Sequence, residues 1–172
     1  MIVTNFRNQF SNYNAFFSDS LGPGKGYVLA KKQKLPASCK AAWKGDVKKL
    51  KKALKKSDVN EIDKDLRTPL HYACAQGHDE AICFLLATGS VNPNICDNEG
   101  KTALIKSCEC NQATSAQLLV DHNFNPMIDF NLADKDGNSP LIFAVSNDNV
   151  DISSLLVISG ADVNHCNSGG ES

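Results

Sequence analysis

Seven cysteines and four histidines carry the most reactive side chains in this chain. In suitable geometry such groups bind a metal ion, pair as disulfides, or make a thiolate–imidazole nucleophile. Their spacing supports none of these. Cys108 and Cys110 stand two apart on a predicted helix and point to different faces, so one metal ion cannot take both without unwinding it. Cys74 and Cys108 share one position of a repeated pattern, where Val145 stands in a later copy, as core packing requires. His71, His78, His122 and His165 keep no ligand spacing with the cysteines. An odd number of irregularly spaced cysteines is no secreted disulfide framework; it points to a reducing compartment, cytoplasmic or nuclear. Gly22-Pro23-Gly24-Lys25-Gly26 lacks the spacing of a phosphate loop and follows no strand. No catalytic residue, metal or cofactor is therefore expected.

Charge is the second chemical signal. Net charge is −1, yet eleven lysines and one acid (Asp46) lie between Lys31 and Lys56. From Ala133 onward five Asp and Glu171 stand against Lys135 alone. The run Lys48, Lys49, Lys51, Lys52, Lys55 and Lys56 is either a solvated helix face or a landing patch for phosphoinositide, nucleic acid or acidic protein. No aromatic residue interleaves it, so stacking on a single strand is not indicated. No stretch reaches the ~18 apolar residues of a membrane span. The N-terminus has no apolar run of signal-peptide type.

The elements that position these residues come from internal repetition. Arg67-Thr68-Pro69-Leu70-His71-Tyr72-Ala73-Cys74 aligns with Lys101-Thr102-Ala103-Leu104-Ile105-Lys106-Ser107-Cys108 and with Asn138-Ser139-Pro140-Leu141-Ile142-Phe143-Ala144-Val145. The spacings are 34 and 37, the longer one holding an insertion near Pro126-Met127-Ile128-Asp129. Lys40-Ala41-Ala42-Trp43-Lys44-Gly45 is a weaker first copy. Thr68 and Ser139 are helix-capping types, and Pro69 and Pro140 follow at the position that needs no amide hydrogen. A short apolar helix, a break at Gly77, and a second helix with Ile82, Leu85 and Leu86 complete the unit. Gly89, Asn123 and Gly160 are its expected left-handed stops, and Asp/Gly turns such as Asp97-Asn98-Glu99-Gly100 lead into the next copy.

Thr68-Pro69-Leu70-His71-Tyr72-Ala73 resembles the signature of the ankyrin repeat, and Gly160-Ala161-Asp162-Val163-Asn164 resembles its closing run. The run Cys96 to Lys106 further resembles the ankyrin-plus-coiled-coil group of the POTE type. The resemblance implies an all-α repeat: an ankyrin solenoid of helix-turn-helix repeats joined by β-hairpin loops. The expected organisation is a leader over 1–33, repeats over 34–66 (an N-terminal cap), 67–100, 101–137 and 138–166, and a tail over 167–172 that begins a further repeat. Phe6, Phe10, Tyr13, Phe16 and Phe17 lie in the leader, read as flexible or as an amphipathic element.

The resemblance also implies the function: a non-enzymatic interaction module, a scaffold or targeting domain of a larger protein, monomeric in isolation. A partner protein would be held by hairpin tips and the concave inner-helix face. Carried over by position, these are Lys64, Asp65 and Arg67, then Asn98, Glu99 and Lys101, then Lys135, Asp136 and Asn138. The inner helices add Trp43, Lys44, Gln76, Glu109 and Asn147. Trp43 has a second reading, packing against the leader or the next repeat. His71 is implied to tie one hairpin to the next. Asn94 and Asn164, each with a Leu eight residues upstream, resemble asparaginyl hydroxylation sites of the family.

Overall fold

The computed structural model of the chain describes residues 34–124 and 127–170. Residues 1–33 and Pro126, and so the expected leader and one residue of the insertion, lie outside the described residues. Eight helices follow one another: α1 (Ala37–Trp43), α2 (Val47–Leu54), α3 (Pro69–Gln76), α4 (Asp79–Leu86), α5 (Ala103–Glu109), α6 (Ala113–Asp121), α7 (Pro140–Ser146) and α8 (Val150–Ile158). They form four antiparallel pairs. Inner helices α1, α3, α5 and α7 pack in series, and outer helices α2, α4, α6 and α8 do the same. Each pair therefore draws its core from its neighbours, as a solenoid does.

Local chemistry sets the helix ends. The hydroxyls of Thr68, Thr102 and Ser139 accept from the backbone N–H of His71, Ile105 and Ile142. Asp46 and Asn149 cap α2 and α8 in the same way. Inner helices stop at one register position, held with positive φ by Gly45, Gly77, Asn111 and Asp148. A Cβ at Gly77 would collide with the Gln112 side chain, so close approach of the next repeat also demands glycine there. Leu50, Ile82, Leu85, Leu104, Ile105, Leu119, Ile152 and Leu156 are fully buried between the helix layers. Each contributes roughly 1.5–3 kcal/mol of burial energy.

Two expectations are corrected. Among the described residues the connections contain no β-strand, only turns. Each turn donates one backbone hydrogen bond to the turn before it: Asn98 to Asp65, Lys135 to Glu99 and Ser168 to Asp136, all at 2.9 Å. A single bond per neighbour is too little for a ladder. Second, Asn123 does not adopt the left-handed stop that Gly89 and Gly160 do. The chain leaves α6 through an extended His122, whose ring meets Phe124 edge-on at 4.7 Å, and so enters the insertion.

Candidate protein-binding face

The tip turns are built on a repeated aspartate. The Oδ1 atoms of Asp63, Asp97 and Asp134 each accept two backbone N–H groups, two and four residues ahead, at 2.8–3.0 Å. Asn167 begins the fourth turn with one such bond, from Gly169. These side chains face inward, and the residues after them are turned out. Lys64, Asn98, Lys135 and Asp136 are exposed, whereas Asp65, Glu99 and Asn138 are half-buried. The backbone thus arranges one row of residues, one set per repeat, beside the inner helices.

A second asparagine series braces the other side of each loop. The Asn60 side chain accepts from Asn92 N–H and donates to Ser90 O. Asn94 does the same with Asp129 N–H and Met127 O, and Asn131 accepts from Asp162 N–H. Asn94 is therefore half-buried and engaged at both ends of its amide, while Asn164 is exposed. Asn60 and Asn131 were legible in sequence only as members of this register.

Several predicted contact residues turn out to serve the fold as well. Lys101 Nζ lies 2.6 Å from Glu109 Oε1 and 3.2 Å from Glu99. It also stands 5.4 Å above the Phe143 ring of the following repeat. Arg67 Nε and Lys106 Nζ approach the buried Asp97 Oδ2 at 3.6 and 3.5 Å. Lys106 reaches Glu109 as well, at 3.2 Å. The result is a charge network across the second and third repeats. Among the described residues Arg67 Nε and Asp97 Oδ2 are buried without a hydrogen-bond partner, because their separation is too long for one. Burial alone would raise the Asp97 carboxyl, but the Lys101 amide and the Lys106 ammonium outweigh it and lower it. Asn147 donates to the carbonyls of Cys108 (2.9 Å) and Glu109 (3.3 Å), closing the end of α5. Trp43 is half-buried and its carbonyl accepts from His78 Nε2 at 3.1 Å, whereas Lys44 is exposed and Gln76 half-exposed.

Lys106 was missed as a member of this network. Its signal was a lysine at the register position of Tyr72 and Phe143. Leu66 was also missed. It occupies the turn position of Gly100, Gly137 and Gly170 with a φ of +61°, and stays 44% exposed. A left-handed backbone costs a leucine roughly 1–2 kcal/mol.

The reactive groups have structural settings. Thr68 N–H donates to His71 Nδ1, so Nε2 carries the proton and donates to Lys101 O at 3.0 Å. Burial pushes the imidazole down to about 4. Burial likewise pushes the Cys39, Cys74 and Cys110 thiols up to about 12 and Cys108 higher still, so none forms a thiolate near neutrality. Among the described residues no three His, Cys, Asp or Glu side chains gather around a metal-sized space, and no helix is long and apolar enough to cross a membrane.

Helix pairs, capped alike and tied tip to tip, match a known family pattern. The description "Ankyrin repeats (3 copies)" matches residues 38–129 and again 81–167. This chain belongs to the ankyrin-repeat family. The human "Ankyrin repeat domain-containing protein 7" is 52% identical over 64 residues, covering 36% of this chain and 25% of that protein. A "Putative ankyrin repeat protein" of Rickettsia felis is 34% identical over 123 residues, covering 70% of this chain and 39% of its own length. The mouse "Glutaminase liver isoform, mitochondrial" is 38% identical over 84 residues. That stretch is 48% of this chain but 14% of the enzyme. The ankyrin chain thus spans a quarter or less of the first two mammalian relatives it matches. Ankyrin repeats are in general protein-interaction modules and typically non-catalytic.

Proposed function

We propose that this ankyrin chain is a non-enzymatic scaffold or targeting module that holds one partner protein along its tip turns and inner helices. The observation that carries this reading is a contrast within each turn. Asp63, Asp97 and Asp134 are buried and alike, while their outward neighbours Lys64, Asn98 and Lys135 are exposed and differ from copy to copy. Invariant positions hold the backbone; the variable ones form a mixed-charge row suited to electrostatic selection of a protein. Residues 34–166 would be the binding unit, acting as a monomer in the cytoplasm or nucleus. The narrower likeness to the POTE-type group rests on the run Cys96 to Lys106 alone.

The test is affinity capture from cell lysate with mass-spectrometric identification. The tip variant should be Lys64→Glu, Asn98→Lys and Lys135→Glu, because these side chains are exposed and outside the charge network. Proteins held by wild type and lost by this variant support the reading. Retention of every captured protein would sink it.

A second reading is favoured by one feature. Helix α2 presents Lys48, Lys51, Lys52 and, just beyond it, Lys55 and Lys56 to solvent. Such a face suits phosphoinositide, nucleic acid or an acidic protein. Loss of binding in Lys48→Glu/Lys51→Glu/Lys55→Glu, with steep salt dependence and intact tips, would move the assignment there. Modification by an asparaginyl hydroxylase is proposed at Asn164 ahead of Asn94, since the Asn94 amide is engaged at both ends. Peptide mapping after reaction with such a hydroxylase should place added oxygen on Asn164 first; the reverse order removes the idea.

A further inference from the structure

Large apolar side chains are exposed in three places: the first tip turn (Ile62 and Leu66), the insertion (Met127), and the last repeat from Val145 to Val163. The last group follows from register. Val145 and Val157 occupy the positions of Cys74 and Leu86, which are buried where another repeat follows. No such account covers Ile62 and Leu66, because a second turn already follows theirs and Asn98 N–H is bonded to Asp65 O.

Leu66 is doubly disfavoured. Its turn is the same one that Gly100, Gly137 and Gly170 make, with φ of +82°, +82° and +81°. At Gly100 and Gly137 a Cβ would approach the next turn's backbone nitrogen to 3.1 and 3.0 Å, so glycine relieves both torsion and crowding. The other non-glycine residues with positive φ are Asn111 and Asp148, types that tolerate it. Leucine does not, and here it also leaves apolar surface in water, as does Ile62 at 46% exposure. A partner that covers this turn offsets the second cost without disturbing the first. The surroundings specify its charge: from Lys34 to Arg67 there are eleven cations against five acids.

We infer that Leu66, supported by Ile62, is the apolar anchor for an acidic polypeptide segment. One aliphatic or aromatic side chain of the partner packs on Leu66 while adjacent carboxylates are drawn to the basic first repeat. This rests on the protein-binding reading above and names the chemistry of its partner.

The probe is a random library of short peptides displayed on phage and selected against the immobilised whole chain at physiological salt. Selected sequences should join an apolar residue to Asp or Glu. Their affinity, read by fluorescence anisotropy, should fall roughly tenfold or more in Leu66→Gly and in Ile62→Ser. The same Leu66→Gly variant should have a higher urea midpoint than wild type, which separates lost binding from lost folding. Binding of Leu66→Gly within about twofold of wild type, selection of peptides without the apolar–acidic pattern, or failure to select any peptide each overturns the anchor. If binding is lost on Lys135→Glu and kept on Leu66→Gly, the tip-binding reading stands and the anchor falls. If no tip variant changes binding, both fall.

Discussion

The second and third repeats and the fourth share one pattern and differ in what lies beside them. Cys74 and Cys108 are wholly buried, whereas Val145 at the same position is 52% exposed. Leu86 is nearly buried and its counterpart Val157 is not. The middle repeats have a neighbour on each side; among the described residues the fourth has one. Burial in a solenoid is thus conferred by the adjacent repeat, and the residue's own hydrophobicity only makes it usable. The charge network follows the same logic. Asp97 accumulates Arg67 from behind and Lys106 from its own repeat, while Asp134 has only Asn138 for its second oxygen.

The sharpest way to break this contrast is at the aspartates. Asp97→Ala should destabilise the chain by roughly 3–5 kcal/mol, because it strands two buried cations and two backbone donors. Asp134→Ala should cost about 1–2 kcal/mol. Equal losses in urea unfolding would mean the two turns are energetically alike. A second comparison sets Leu85 in α4 against Val157 in α8. Leu85→Ala should cost about 2–5 kcal/mol and Val157→Ala under about 1 kcal/mol. A neutral Leu85→Ala would put the repeat register in error.

Acid should weaken the middle of the array first. His71 is held neutral by burial, near 4 against an ordinary 6.5, with Asp97 favouring and Lys106 and Arg67 opposing its protonation. The folded value lies below the unfolded one, so the unfolded chain takes up the proton first. Stability is then fully present above about pH 6.5 and falls as pH drops toward 4, by on the order of 2–3 kcal/mol from this group. His71→Gln should flatten that part of the profile, and an unchanged slope would remove His71 as its source. The smallest effect is expected on the solvated face: Lys52→Ala should shift stability by less than about 0.5 kcal/mol.

Much of this was legible beforehand for a physical reason. Capping and turn formation are local: Thr68, Thr102 and Ser139 act within three residues, and Asp63, Asp97 and Asp134 within four. A spacing of 34 residues is likewise visible without coordinates. The network around Asp97 was not, because it joins Arg67, Lys101 and Lys106 from different repeats. Nor was the left-handed Leu66, where the residue type argues against the conformation it adopts.

Residue order alone therefore determined the helix pairs, their caps and the row of outward tip positions, since each depends on interactions a few residues long. Only tertiary structure decided which charges are consumed internally, which asparagine amides are locked, and which apolar side chains stay in water. Those outcomes depend on the distance between one repeat and the next, and that distance is set by packing.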